Sequence, residues 1–189
     1  MTRRETPEVR KHRIILGLVL GLATFGVALP ATFVLLAGWL DRVLGFPDLL
    51  SPGTGAILAA ACMCVGLLWI TWSHSFIVFV GRGSPVEAFG RALEPTRQLV
   101  TSGPYAYLRH PMVFGVLWVL LGIAFYIGSI SGLILAPILG LIAWAYLVTW
   151  EERGLERRFG EEYIRYRDNV RALIPHLKPY AAEPAGSNE

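Results

Sequence analysis

The sequence predicts an all-α membrane protein, a polytopic helical bundle of about four transmembrane helices followed by a C-terminal amphipathic cytoplasmic helix. Apolar residues make up 54% of the chain and charged residues only 16%. The charges are also confined to a few stretches, which separate four charge-free segments, residues 14–40, 56–80, 112–127 and 133–150. About 20 apolar residues are needed to cross a bilayer as a helix, so each segment is read as a span. With 189 residues, we expect one membrane domain covering 1–189.

The first charge-free segment is predicted to be a retained span rather than a signal peptide. It follows a basic stretch that contains Arg3, Arg4, Arg10, Lys11 and Arg13. Its 27 residues exceed the length of a cleavable apolar region. Pro30 lacks a backbone N–H group, so we expect it to kink this helix.

The third and fourth segments lie within 39 residues, 112–150, that carry no charged side chain. As one helix this stretch would be about 58 Å long, roughly twice the hydrocarbon thickness of a bilayer. Glycines and serines at 128–132 predict a turn that divides it into two crossings. Two crossings return the chain to the face that it left, so Arg109 and His110 are predicted to meet Glu151 and Glu152.

The distribution of positive charge predicts the orientation. If the chain crosses four times, sixteen of its seventeen Lys and Arg residues fall on one side. The positive-inside rule then puts both termini and the loop 81–111 in the cytoplasm. Anionic lipid headgroups account for the net charge of +3, so we expect membrane lipids and no nucleic acid as partners. Cys62 and Cys64 lie within the second segment, where packing is the simplest explanation, and no metal site is predicted.

Beyond the fourth span, apolar side chains recur every three or four residues, at Leu155, Phe159, Tyr163, Tyr166, Val170 and Leu173. Arginines lie largely off this stripe, which is typical of an amphipathic helix. The helix is predicted to end before Pro175. It either rests on the membrane surface or covers a site at the cytoplasmic face, and its position directly after Glu152 favours the cover.

The residues that bracket the charge-free stretch have complementary chemistry. Pro111 suits the first turn of a helix, which places His110 at the cap and Arg109 just outside it. A helix N-terminus beside an arginine suits a carboxylate or phosphate, and carboxylates suit an ammonium, a sulfonium or hydroxyl groups. A zwitterionic cofactor with a ribose would satisfy both. Alternatively, these are interfacial residues that flank a span, and the two glutamates simply begin a helix.

Four motifs together resemble the isoprenylcysteine carboxyl methyltransferase and phospholipid methyltransferase superfamily. They are Leu-Val-Thr-Ser-Gly-Pro-Tyr at 99–105, Arg-His-Pro at 109–111, Glu-Glu at 151–152 and Phe-Gly-Glu-Glu-Tyr at 159–163. The resemblance covers about 97–175. It implies an integral membrane methyltransferase with a cytoplasmic pocket for S-adenosylmethionine, partly closed by the C-terminal segment. A lipophilic acceptor, such as a phospholipid amine or a prenylcysteine carboxylate, would enter from the lipid side.

The resemblance also implies which residues form the site. The predicted catalytic residues are His110 and Arg109. The predicted cofactor-binding residues are Gln98, Leu99, Val100, Gly103, Tyr105, Arg109, His110, Pro111, Met112, Val113, Glu151 and Glu152. In this interpretation Arg109 holds the methionine carboxylate, Tyr105 packs on the adenine and Glu151 binds ribose or ammonium. His110 either acts as a base or positions the cofactor.

Two positions depart from the pattern of that superfamily. Many relatives carry a tyrosine where this chain has Val113, and prenylcysteine enzymes carry a basic residue where it has Leu147. A prenylcysteine carboxylate would therefore lack its counter-charge. Two alternatives stay open, namely a membrane reductase of related fold that uses NADPH and a non-catalytic membrane scaffold. The oligomeric state and the acceptor are not predicted.

Overall fold

The computed structural model describes residues 12, 15–17, 19–81, 87, 88, 91, 92, 96 and 98–181. The five basic residues that precede the first span, Arg3, Arg4, Arg10, Lys11 and Arg13, lie outside the described residues. The described residues form a short 3₁₀-helix, Gly103–Ala106, and five longer helices, which we number along the chain: α1 (Ile15–Leu44), α2 (Pro52–Phe79), α3 (Pro111–Tyr126), α4 (Ile130–Phe159) and α5 (Glu161–Asn169).

The structure confirms the predicted membrane helical bundle. Helices α1, α2 and α4 are long and apolar enough to cross a membrane, whereas α3 is shorter at 16 residues. At 1.5 Å per residue α3 measures about 24 Å, a little less than a ~30 Å hydrocarbon core. In the loop between α2 and α3, two short strands, β1 (Glu87–Ala88) and β2 (Arg91–Ala92), pair antiparallel.

The first helix ends four residues after the predicted end of the first span, and its turns are wider just before Pro30. A π-helical stretch, Leu22–Ala28, precedes the α-helical part, Leu29–Leu44. Pro30 has no N–H group to donate to the carbonyl of Gly26, so the regular ladder of hydrogen bonds is interrupted here. The wider π turn accommodates the interruption.

Helices α2 and α3 pack at very short range through glycines. A Cβ atom added to Gly66 would lie 2.7 Å from the carbonyl oxygen of Gly115, and one added to Gly115 would lie 2.7 Å from that of Gly66. Only residues without a side chain permit this approach, as is common where membrane helices cross closely. Next to this crossing, Trp69 of α2 meets Phe114 of α3 edge to face, with ring centroids 5.3 Å apart.

At the end of the bundle opposite Arg109, one carboxylate connects helix α1 to the start of helix α4. Asp41 near the end of α1 accepts hydrogen bonds from the Ser129 hydroxyl and, at 2.9 Å, from the backbone N–H of Ser131. Ser129 in turn caps α4 by accepting from the N–H of Gly132 at 2.9 Å. Because of this cap α4 begins at Ile130, so the turn predicted at 128–132 is shorter than expected.

The helix α4 continues past the predicted end of the fourth span. After Tyr146 it passes through a π turn, Leu147–Glu151, and then runs as α-helix to Phe159. The helix thus extends nine residues beyond the predicted end of the span at 150, and both glutamates lie within the helix rather than at its end. The π turn shifts the register by one residue, so Glu151 and Glu152 are presented within a continuous helix.

The predicted C-terminal amphipathic helix is divided in two. Gly160 has a backbone φ of +54°, a conformation that side-chain-bearing residues rarely adopt, and it separates α4 from α5. The predicted apolar stripe is nevertheless used: Tyr163, Tyr166 and Val170 are buried together and pack against Leu99. This contact places α5 over the loop before α3, as expected of a cover.

Candidate functional site

Buried polar side chains converge where α3 begins and the π turn of α4 ends. Glu152 is only 3% exposed, and its Oε1 lies 2.9 Å from Nη2 of Arg109 and 3.2 Å from Nε2 of His110. Oε1 of Glu151 lies 3.7 Å from Nδ1 of the same imidazole. The structure therefore brings together the four charged or titratable residues that bracket the apolar stretch.

The hydrogen bonds around His110 indicate its tautomer. A carboxylate can only accept, so the contact from Nε2 to Glu152 requires a proton on Nε2. In the neutral imidazole the lone pair then lies on Nδ1, facing the carboxylate of Glu151. At 3.7 Å this contact is too long for a hydrogen bond. The negative charge of Glu151 beside the imidazole favours a cationic or hydrogen-bond-donating group at this place, such as an ammonium or hydroxyl group.

Arg109 is held within the protein more tightly than the sequence suggests. Its Nη2 pairs with Glu152, and its Nη1 donates at 2.7 Å to the carbonyl of Arg167 on α5. Its Nε is buried without a partner among the described residues, and so is the hydroxyl of Tyr163. Two donor groups near the cluster thus retain unused hydrogen-bonding capacity.

The segment 170–180, which we call the C-terminal segment, docks onto the loop before α3 through backbone hydrogen bonds. The N–H groups of Arg109 and His110 donate to the carbonyls of Arg171 and Ala172 at 2.9 and 3.1 Å. Farther along, the N–H of His176 donates to Tyr107 and that of Tyr180 to Ala106, at 2.9 and 2.8 Å. The C-terminal segment therefore covers residues 106–110.

Tyr105 lies beneath this cover. Its carbonyl accepts a 2.7 Å hydrogen bond from the hydroxyl of Tyr166. Burial and, secondarily, the charge of Glu151 raise the pKa of the Tyr105 phenol above its usual value. Burial likewise raises the pKa of Tyr166. Both side chains therefore stay neutral over the physiological range and act as hydroxyl groups.

The remaining predicted residues occupy three different places. Pro111 is buried at the start of α3, with Met112 and Val113 half-buried beside it. Leu99 packs against the tyrosines of α5. Gln98, Val100 and Gly103 instead meet the end of α2. The Gln98 amide donates to the Val80 carbonyl at 2.8 Å, and Cβ atoms added at Gly81 and Gly103 would lie 3.0 Å from Val100 and 2.4 Å from Phe76.

Sequence reasoning missed the residues of α5 and the C-terminal segment that complete the cluster, above all Arg167, Tyr163 and Tyr166. The tyrosines belong to the apolar stripe that the sequence displays, but nothing in that periodicity shows where their hydroxyl groups point. The contribution of Arg167 to Arg109 is a backbone carbonyl, which no side-chain pattern could reveal.

The comparison with known families covers more than half of the chain. Residues 54–162 match the sequence profile of the phospholipid methyltransferase family. The chain belongs to this family. Among curated proteins, the Protein-S-isoprenylcysteine O-methyltransferase of Schizosaccharomyces pombe is 36% identical over 80 residues. That alignment spans 41% of this chain and 33% of the yeast protein. This phospholipid methyltransferase family member is therefore a multi-pass membrane protein, and its cluster around Glu152 lies within the matched region.

We expect Tyr166→Phe to lower the stability of this family member by about 1–3 kcal/mol, because it leaves the buried Tyr105 carbonyl without its donor. At ~2–4 °C per kcal/mol, the shift is measurable by thermal denaturation in detergent. Tyr126→Phe is the matched control, since Tyr126 is 73% exposed. Equal midpoints for the two variants would show that the Tyr166–Tyr105 hydrogen bond contributes little.

Proposed function

We propose that this protein transfers a methyl group from S-adenosylmethionine to a lipophilic acceptor in the membrane. Membership of a methyltransferase family supports the reaction class. The observation that supports the donor site is the position of the Glu151 carboxylate, whose Oε1 lies 3.7 Å from His110 Nδ1 at the start of α3. S-adenosylmethionine carries an ammonium group and ribose hydroxyls, and a carboxylate accepts hydrogen bonds from both kinds of donor.

Two buried hydrogen-bond donors near the cluster suit the carboxylate in the methionine part of the cofactor. The Nε atom of Arg109 and the hydroxyl of Tyr163 are two of the three buried side-chain groups without partners among the described residues, and the third, the Ser131 hydroxyl, lies near Asp41 at the start of α4. The first two suit the carboxylate of the cofactor. In this assignment Arg109 is a positioning residue as well as a ligand, because its other nitrogens hold Glu152 and α5 in place.

The residues of the chain would promote the reaction mainly by positioning and by excluding water. When bound, S-adenosylmethionine would supply an electrophilic methyl group, to which the acceptor's nucleophile would bond in line while the thioether of S-adenosylhomocysteine leaves. Orientation of the two reactants accounts for much of the acceleration of such a step. The C-terminal segment and α5 cover residues 105–110, which keeps water from the reacting atoms. With its proton on Nε2, His110 presents its Nδ1 lone pair, which would accept a hydrogen bond from the cofactor and so help to position it.

We place this end of the bundle in the cytoplasm. Nearly all Lys and Arg residues outside the spans fall on the side that carries Arg109 and the C-terminal segment. The cytoplasm is where a soluble nucleotide cofactor is available. Protease protection of a tag at either terminus, in sealed vesicles of known orientation, would test this topology.

Binding of S-adenosylhomocysteine tests the donor site. We expect it to stabilise the purified protein against heat, and we expect Glu151→Gln to weaken binding roughly tenfold or more, because an amide loses the charge-assisted hydrogen bond. Isothermal titration calorimetry measures the affinity. Glu162→Gln on the exposed side of α5 is the control and should bind as the wild type does.

Two results would contradict the proposal. If NADPH stabilised the protein and S-adenosylhomocysteine did not, the reductase alternative would replace the methyltransferase. If neither ligand bound while the protein was folded, the non-catalytic alternative would stand. Incubation with methyl-labelled cofactor and total lipid extract, followed by mass spectrometry, then identifies the acceptor.

A further inference from the structure

A groove of about 860 Å³ runs along the outer face of the bundle, beside the candidate site. Helices α3 and α4 form one wall, with Leu117, Gly140, Leu141 and Trp144 facing the groove. The C-terminal segment and the end of α5 form the other wall. Two residues of the candidate site line the groove, namely Arg109 and Arg167, whose carbonyl accepts from Arg109. The groove therefore adjoins the candidate site without being part of it.

The helical wall is apolar and continuous with the outer surface of α4. Leu141 is 67% exposed and Trp144 is 48% exposed, and both lie on a helix long enough to cross a membrane. Because Gly140 has no side chain, it leaves space in the groove that a Cβ atom would fill, at 3.1 Å from Leu117. A surface of this kind faces hydrocarbon chains in a bilayer rather than water.

The opposite wall is basic at its rim. Arg167 is balanced by Glu156 at 3.1 Å and Asp168 at 3.5 Å, and Arg109 is balanced by Glu152. The exposed side chain of Arg171 makes no ion pair within the part of the chain that the structure describes. One guanidinium without an ion-pair partner among the described residues thus lines the groove. Guanidinium groups bind phosphate through two parallel hydrogen bonds.

The C-terminal segment also carries apolar side chains that the protein does not cover. Ile174 is 62% exposed and Leu177 is fully exposed. Both lie within a few residues of Arg171. Apolar side chains that flank a basic residue are typical of segments lying at the boundary between headgroups and acyl chains. The surface therefore fits a membrane lipid better than a soluble partner.

We infer that the groove binds a membrane phospholipid, with one acyl chain along α3 and α4 and the phosphate on Arg171. Basic pockets between membrane helices are known to hold phosphate headgroups. The bound lipid touches both walls and so links α4 to the C-terminal segment. Because that segment hydrogen-bonds to Arg109 and His110, lipid binding stabilises the docked segment. The inference concerns binding alone and does not require this lipid to be the methyl acceptor.

Native mass spectrometry of the full-length protein in detergent, without cofactor, tests the inference. The probes are phosphatidylglycerol and a diacylglycerol with the same acyl chains. We expect one tightly bound phosphatidylglycerol, at least fivefold weaker binding of diacylglycerol, and a loss of about fivefold with Arg171→Ala. The matched control is Arg165→Ala, an exposed arginine on α5 outside the groove, which should bind phosphatidylglycerol as the wild type does.

Each other outcome overturns the inference. Equal binding of the two lipids would mean that the groove recognises chains and not phosphate. Equal loss in both arginine variants would mean a diffuse effect of charge. Hydrogen exchange of peptides covering 105–112 tests the link to the C-terminal segment. Phosphatidylglycerol should increase their protection in the wild type but not in Arg171→Ala, and unchanged protection in the wild type would refute the link.

Discussion

Glu152→Ala is expected to destabilise the protein by about 3–5 kcal/mol and to abolish cofactor binding. The carboxylate is 3% exposed and contacts both Arg109 and His110. Its removal leaves a buried guanidinium without a counter-charge, which is among the most costly single changes in a folded protein. Thermal denaturation in detergent should show a fall in midpoint of roughly 6 °C or more, at ~2–4 °C per kcal/mol.

A double variant separates the loss of charge pairing from the loss of packing. Replacing both partners, as in Arg109→Leu with Glu152→Leu, removes the unpaired charge, so we expect it to recover part of the stability. It should not recover binding of S-adenosylhomocysteine, because His110 then lacks the acceptor that fixes its tautomer. Glu162→Ala, on the exposed surface, should change stability by less than about 0.5 kcal/mol. If Glu152→Ala behaved like that control, the buried cluster would not be structurally important.

Gly66→Val should disrupt the bundle even more directly. The first atom of any side chain at this position would lie 2.7 Å from the Gly115 carbonyl oxygen and 2.9 Å from the Val119 backbone nitrogen. Neither backbone atom can move without displacing α3. Overpacking of this kind costs typically ~1–3 kcal/mol for extra methylenes, and a forced separation of helices costs more. We expect little folded protein after extraction, measured as the monodisperse fraction in size-exclusion chromatography.

Two variants make this result interpretable. Gly38→Val introduces the same side chain into helix α1, where no atom lies within 4 Å of the new Cβ, and it should be extracted normally. Gly66→Ala should fall between the two. A normal yield of Gly66→Val would show that α2 and α3 can pack at a greater distance without loss of the fold.

The spans could be predicted because the signal for them is simple. A charge-free run of sufficient length has few alternatives to a membrane helix, and counting the crossings was enough to bring His110 near Glu152. The capping of α4 by Ser129 and its bond to Asp41 could not be predicted. These residues are 88 positions apart, and a lone aspartate beside a span looks the same whether or not it is bonded.

The division at Gly160 shows a different limit. Apolar residues continue at helical spacing on both sides of this glycine, so periodicity predicts one helix. A glycine within a helix costs only about 1 kcal/mol relative to alanine, which is too weak a signal to outweigh the pattern. The left-handed backbone at Gly160 is decided by tertiary packing, because it turns Tyr163 and Tyr166 towards Leu99.

The backbone bonds between residues 106–110 and the C-terminal segment also govern when the site can form during synthesis. The chain must be extended by about 70 residues after Leu108 before Tyr180 exists, which takes about 4 to 14 s at ~5–20 residues per second. For most of that interval the amides of Arg109 and His110 lack the carbonyls of Arg171 and Ala172. A nascent chain can thus have all its spans in the membrane while its candidate site is still open to water. Insertion and completion of the site are separate events, and a ribosome stalled between them would leave an inserted but incomplete protein.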